Sequence, residues 1–316
     1  MAPLSQLDPD QTDLLLVNPA ADGGRARAAV PLLRAFAAEQ GWPVEICVTE
    51  SPEELARRAH EAAEIGRKRI LVLGGDGTFQ VLINALVDHP EIVLGILPAG
   101  GGNDLAATLG LPQDPVRAAG MLLEGEAGFL DAVRVRTADG VERLYTGGGG
   151  VGLDAEAARY AGGIYRNLHG RLRYLFSALR ALMGFRSFKV IVRTGISEPR
   201  NLEANVLLLG VLNTPIYGAG LRIAPDALTD DGKLDLVLIE DMSFIEVLAL
   251  FPALASRGEL QTKRVQRFRV ERVRIETEQP RLFHGDGEIL GSTPVEVEVV
   301  SRAIRVLRPA KVAPRR

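Results

Sequence analysis

The stretch ILVLGGDGTFQVLINALV, residues 70–87, decides the fold class. Ile70 to Leu73 is a short, unbroken apolar run, as expected of a strand buried on both faces. Gly74, Gly75 and Gly77 then break it, and from Phe79 to about Val87 the chain reads as a helix. Strand, glycine turn and helix form the unit from which a parallel sheet with covering helices is built. Glycines at such a junction let the backbone approach a phosphate and point N–H groups at it, while the helix N-terminus adds positive potential. Asp76 fits poorly in a pure anion cradle. It makes sense if a metal ion or a charge network joins carboxylate and phosphate.

The same grammar extends outward. Leu14 to Val17 reads as a strand ending at Asn18-Pro19, and an amphipathic stretch follows from Arg25 to Gln40. Val44 to Val48 is the next strand. Pro52 opens a helix reaching about Gly66, with Ser51 as its N-cap. Val93 to Leu97 is a fourth strand, and it runs into Pro98-Ala99-Gly100-Gly101-Gly102-Asn103-Asp104. Two glycine-rich loops, each with an aspartate, thus leave the carboxyl ends of parallel strands, where open α/β sheets bind ligands. Neither loop has the Lys-Ser/Thr pair of a Walker A loop, and protein-kinase signatures are absent. Beyond Asp131 the texture changes to strands separated by turns: Ala132–Arg136, Lys189–Arg193, Asn205–Leu212, Leu234–Ile239, Arg267–Ile275 and Val295–Val300. The expectation is an α/β domain with a parallel sheet over residues 1–130. A mainly antiparallel β domain, a sandwich or open barrel, should follow over 131–316.

Composition narrows the function. With 37 basic and 40 acidic residues in 316, nothing points to nucleic acid. A single cysteine, Cys47, excludes an internal disulfide and suits the cytoplasm. The first dozen residues lack the basic start and apolar run of a signal peptide. No segment reaches the roughly 18–20 apolar residues that span a bilayer, so the chain is expected to be soluble or peripheral. Oligomeric state, a homo-oligomer included, stays open. From Ala157 to Ser197 there is no acidic residue. Leu168, Leu172, Leu175, Leu179 and Leu182 fall there at helical spacing, with Arg166, Arg173 and Arg180 on another face. The leucines are expected to pack inward, leaving the arginines to solvent or to anionic headgroups. The run Lys263, Arg264, Arg267, Arg269, Arg272 and Arg274 reads as an exposed strand edge. Gly147, Gly149 and Gly152 match G-x-G-x-x-G, but no acidic residue follows about 20 positions on to hold a ribose.

GGDGT at 74–78, followed by PAGGGNDLA at 98–106, resembles the catalytic domain of diacylglycerol kinases and their bacterial lipid-kinase relatives, a domain shared with sphingosine and ceramide kinases. The resemblance also takes in Asn18-Pro19, the segment from Ala224 to Asp235 with its DDGKLD, and Gly285-Asp286-Gly287-Glu288. It implies a two-domain kinase that moves the γ-phosphoryl group of ATP to a lipid hydroxyl with Mg2+, most readily from diacylglycerol to phosphatidic acid, at a membrane surface. By the same resemblance Gly74, Gly75, Asp76, Gly77, Thr78, Phe79 and Gln80 contact the nucleotide, as do Gly100, Gly101, Gly102 and Asn103, with Thr49 nearby. Asp286 matches the general base, with Glu288 beside it, and Asp76 and Asp104 match acidic members of the magnesium network. Leu228, Asp231 and Lys233 match a structural magnesium site, Leu228 and Lys233 through backbone carbonyls. The family often has Thr where Gly101 stands, and Tyr145 to Gly152 replaces a stretch usually richer in Asn, Ala and Ser. Two alternatives share the fold: an NAD kinase, which also carries GGDGT, and a non-catalytic nucleotide or lipid sensor.

Overall fold

The computed structural model describes residues 12–195, 200–218, 220–243, 245–247, 249 and 264–310. The chain forms two compact units: one runs to Leu130 and takes up the chain again at Ala303, the other is Asp131–Arg302.

In the first unit the strands are β1 (Asp13–Val17), β2 (Val44–Val48), β3 (Arg69–Gly74) and β4 (Val93–Pro98). They pair in parallel in the order β4-β3-β1-β2. Every residue of β1 is buried, because both faces of the sheet are covered. The helices are α1 (Arg25–Gln40), α2 (Pro52–Glu64), α3 (Asp76–Ala85), α4 (Asp104–Thr108) and α5 (Pro115–Leu123), with α1 packed on α5 and α2 on α3. Ser51 caps α2 as the sequence predicts, its Oγ accepting from Glu54 N–H at 3.2 Å. Helix α3 starts earlier than its apolar spacing suggests. Thr78 and Phe79 already donate to Gly75 O, so Gly77 and Thr78 belong to the first turn.

The second unit is mostly antiparallel. It opens in β5 (Glu126–Thr137), which enters from the first unit, and continues with β6 (Glu142–Tyr145), β7 (Gly148–Gly152), α6 (Leu153–Gly162) and α7 (Gly170–Leu182). Then come β8 (Phe188–Gly195), β9 (Asn201–Leu212), β10 (Leu234–Glu240), β11 (Val265–Val270), β12 (Arg272–Thr277), β13 (Leu282–Gly285), β14 (Glu288–Ser292) and β15 (Val295–Arg308). The strand path is β14-β13-β7-β9-β8-β12-β15, with β10 and β11 branching from β9. The core gathers Val133, Tyr145, Val151, Leu209, Val273 and Phe283.

Three expectations need correction. Residues from Ala303 onward, assigned by sequence to the second domain, belong with the first unit, where Arg305 and Val306 pair with Val93 and Leu94. Arg272 and Arg274 sit on β12, an interior strand between β8 and β15, where both pair with Glu296 and Arg274 also pairs with Glu276. Lys263 lies outside the described residues. The leucines of α7 do not all turn inward: Leu172 and Leu175 are exposed together with Phe176, because Ser177, Ala181 and Leu182 supply its buried side. Among the described residues no helix is long and apolar enough to cross a membrane.

Candidate active site

In the first unit the two glycine loops meet backbone to backbone. A Cβ on Gly100 would lie 2.5 Å from Gly75 Cα, so glycine at position 100 is demanded by the approach of the neighbouring chain rather than by torsion. The contact is held from both sides. Asn103, in the left-handed region at φ 59°, folds its amide back over the loop. It accepts from Gly100 N–H at 2.8 Å and donates to Gly100 O and to Gln113 Oε1, each at 2.8 Å. Asp76 crosses the other way, accepting from Asp104 N–H at 3.1 Å and Leu105 N–H at 3.0 Å. Its carboxylate therefore caps α4 from the adjacent strand's loop. Desolvation raises the Asp76 carboxyl, and these backbone donors oppose the rise.

The other predicted contacts divide. Thr78 Oγ1 accepts from Asn18 Nδ2 at 3.1 Å, which joins the early Asn18-Pro19 to the glycine turn. Thr49 is buried, its hydroxyl donating to Val17 O at 2.9 Å. Phe79 is fully buried, so its side chain serves the core. Gly101, Gly102 and Asp104 remain partly accessible beside the loop contact.

In the second unit Asp286 and Gly287 form the turn between β13 and β14, both at positive φ (51° and 86°), as expected for a two-residue hairpin. The Asp286 carboxylate is clamped by main chain. Oδ2 accepts from Thr146 N–H at 2.9 Å and its hydroxyl at 3.3 Å, and Oδ1 from Gly147 N–H at 2.8 Å and Gly148 N–H at 3.2 Å. Three of the four donors are backbone amides, so the carboxylate's position is set by the path of the chain into β7. That accounts for the glycines there. A Cβ on Gly147 would sit 2.7 Å from Asp286 Oδ1, one on Gly148 2.4 Å from the Tyr217 ring, and one on Gly150 2.4 Å from Leu209 O. The G-x-G-x-x-G match is thus a strand crowded by its neighbours. Behind it lies a buried polar cluster: Tyr217 OH is 2.8 Å from Asp154 Oδ2 and 2.6 Å from His284 Nε2. Glu288 begins β14. Its side chain is exposed, yet the protein crowded around it raises its carboxyl by desolvation, with Arg173 and His284 opposing.

The DDGKLD segment forms an anchored loop. Asp131 accepts from Gly232 N–H at 2.7 Å and Arg302 N–H at 2.6 Å, while its own N–H donates to Thr229 O at 2.7 Å. Asp231 accepts from Lys233 N–H at 3.1 Å and from the Arg269 guanidinium. Asp235, buried on β10, has an Oδ2 with no hydrogen-bond partner. Burial lifts its carboxyl to about 6; Arg269 opposes the shift, and Asp231 and Asp226 add to it. The orphaned buried oxygen of Asp235 thus lies near two further acids, with Arg269 and Arg267 offsetting part of their charge. Oxygen donors of this kind, with the carbonyls of Leu228 and Lys233, suit a hard divalent cation, and the residues therefore fit the magnesium that the motif implies. Asp131, Asp235 and the amides of residues 146–148 were not singled out in the sequence, because their roles depend on pairings across strands distant in the chain.

Both units have known counterparts. The fold is that of a crystallised diacylglycerol kinase from Bacillus anthracis, 20% identical, with a TM-score of 0.74 over 96% of this chain and 98% of that one. Yeast NADH kinase shares it more distantly, 11% identical with a TM-score of 0.54 over 96% of this chain and 84% of that one. Residues 13–135 match the diacylglycerol kinase catalytic domain, and residues 149–308 match the YegS C-terminal NAD kinase beta sandwich-like domain. Such a pairing of domains defines a lipid kinase. A Mycobacterium tuberculosis protein named diacylglycerol kinase is 30% identical over 93% of this chain and 94% of its own length. An Alcanivorax borkumensis protein named "Probable lipid kinase YegS-like" is 29% identical over 94% and 96%. The chain belongs to the diacylglycerol kinase family of lipid kinases, in company with its YegS-like members.

Proposed function

We propose that the protein transfers the γ-phosphoryl group of ATP to a lipid hydroxyl, with diacylglycerol as acceptor and phosphatidic acid as product, and that it meets the lipid as a peripheral enzyme at a membrane. The observation that carries this reading is the Asp286 carboxylate, fixed by three main-chain amides and the Thr146 hydroxyl on a hairpin turn. The glycine-rich turns after β3 and β4, Gly74 to Gln80 and Gly100 to Asn103, hold the nucleotide phosphates. Thr49 lies nearby at the end of β2, and Asp76 and Asp104 belong to the same acidic network. The acceptor hydroxyl lies against Asp286. As its oxygen attacks the γ-phosphorus and the bond to ADP breaks, Asp286 takes the hydroxyl proton. Such positioned proton removal contributes roughly 10²- to 10⁴-fold. Magnesium, when bound, neutralises charge on the phosphates. A second, structural ion would be held by Asp231 and the carbonyls of Leu228 and Lys233.

Docking on an anionic bilayer falls to α7 and the turn before it. Ile164, Leu172, Leu175, Phe176 and Met183 are exposed there, flanked by the exposed Arg166, Arg180 and Arg186 in a segment without acids. Arg173 is turned back instead, donating to Leu168 O at 3.1 Å and Arg166 O at 3.2 Å.

The deciding experiment is transfer of labelled phosphate from ATP into a panel of diacylglycerol, sphingoid bases, ceramide and phosphatidylglycerol. Asp286→Asn, which keeps size and removes basicity, should lose roughly 10²-fold or more in kcat with its fold intact. A folded variant with near-normal turnover would show that Asp286 is not the base.

A further inference from the structure

We propose that the first unit carries a zinc-class site formed by His60, Glu64 and His89, at the end of the sheet opposite the glycine loops. One ligand atom from each residue lies within 4.8 Å of the others. His60 Nε2 is 3.9 Å from Glu64 Oε1, and His89 Nε2 is 3.8 Å from the same oxygen. A tetrahedral zinc with bonds of about 2.05 Å has ligand–ligand edges of about 3.3 Å, so shifts of under an ångström complete the site.

The three residues come from two elements that the fold brings together. His60 and Glu64 stand one turn apart on α2, the spacing that puts two side chains on one face. His89 follows α3 in a turn fixed at both ends: its N–H donates to Leu86 O at 3.0 Å, and its carbonyl accepts from Ile92 N–H at 3.2 Å. Because β4 begins at Val93, this turn lies at the amino ends of the parallel strands, whereas the glycine loops follow their carboxyl ends. The site is therefore separate from the catalytic loops.

The orientation of His89 is the most specific observation. Its Nδ1 lies 3.5 Å from Glu91 Oε1, which leaves Nε2 turned to Glu64 and His60. A carboxylate on the far nitrogen of a ligating histidine selects the tautomer whose other nitrogen binds metal. The His60 and His89 rings meet edge to face with centroids 5.6 Å apart, so neither ring blocks the other's nitrogen. His60 and Glu64 are more than half exposed, and an ion reaches them directly from solvent. Two imidazoles and one carboxylate favour Zn2+ or a neighbouring transition metal over Mg2+, which prefers oxygen. A water completes four-coordination. Bound there, the ion ties the end of α2 to the turn before β4.

The test uses the full chain, stripped with chelator, and Zn2+ or Co2+ as probe. Calorimetric titration should show one zinc per chain. Cobalt should give the intense visible absorption of a tetrahedral complex, and Mg2+ in excess should not displace either ion. His60→Ala and His89→Ala should each abolish the cobalt signal while leaving circular dichroism unchanged. Glu91→Gln, which keeps all three ligands, should weaken zinc binding by roughly 10- to 100-fold. Absence of a tetrahedral cobalt spectrum in the wild type would overturn the proposal, as would zinc binding undiminished in the His60→Ala and His89→Ala chains.

Discussion

Gly100 and Gly101 are neighbouring glycines that invite different substitutions. Gly100 faces the Gly75 backbone, which cannot move aside as a flexible side chain would. Gly100→Ala should therefore cost about 1–3 kcal/mol and lower affinity for ATP, because the two loops must part. Gly101 is not among the glycines held at positive φ, and it is the position where the family often carries Thr. Gly101→Thr should fold normally and lower the KM for ATP several-fold, the worth of one hydrogen bond at about 1 kcal/mol. Thermal melts and ATP titrations of the two variants side by side decide it. A destabilised Gly101→Thr would mean that this loop needs glycine at both positions. Asp286 teaches the complementary lesson: three of its partners are amides, so a side-chain substitution deletes only the Thr146 hydroxyl contact and leaves the amide donors in place.

At the scale of elements, α7 departs most from its reading in sequence. A stripe of leucines at helical spacing normally marks the face turned to the core, yet here Ser177, Ala181 and Leu182 are buried while Leu172, Leu175 and Phe176 face solvent. The arginines are partly used at home: Arg173 closes on the start of its own helix, and Arg180 lies over the Tyr160 ring, 5.2 Å from its centroid. Replacing Leu172, Leu175 and Phe176 with Ser should reduce partitioning onto anionic vesicles roughly a hundredfold, at about 1 kcal/mol for each half-exposed side chain. Replacing Arg166 and Arg180 with Gln should cost less, and that smaller effect should vanish at high salt. Vesicle co-sedimentation at low and high salt separates the two. If the serine variant bound as tightly as wild type, α7 would not be the docking element.

At the scale of the whole molecule, the carboxyl of Asp235 sets a pH dependence. Its folded value of about 6 lies above the ordinary 3.8. The native state then holds a proton that the unfolded state releases, so stability falls as pH rises from about 4 to about 6 and stays low above that. The shift corresponds to a penalty of about 3 kcal/mol at pH 7. In the presence of chelator, Asp235→Asn should be more stable than wild type at pH 7 by up to that amount, and the gap should close near pH 4. Magnesium should narrow the gap at pH 7 by compensating the wild-type charge. Urea melts at four pH values, with and without magnesium, check this. An equal denaturation midpoint for both chains at pH 7 in chelator would mean that the carboxylate is compensated by other groups.

The order of residues by itself was enough to read the strands and helices of the first unit, since Leu14–Val17, Ile70–Leu73 and Val93–Leu97 are unbroken apolar runs closed by glycine or proline, and the periodicity of a buried parallel sheet is local. The antiparallel character of the second unit was legible for the same reason. So was the family, because GGDGT, GGGND, DDGKLD and DGE are contiguous in the chain. The tertiary structure alone decided what depends on contacts between distant segments. Gly75 and Gly100 touch, the amides of residues 146–148 hold Asp286, and Asp131 anchors the loop at 229–232. Residues from Ala303 onward return to the first unit through pairing with β4. His60, Glu64 and His89 converge only because the turn before β4 folds against α2. Periodicity reports which face of an element is apolar. It carries no information about which element covers that face, and in α7 the covered side is the one with Ser177, Ala181 and Leu182.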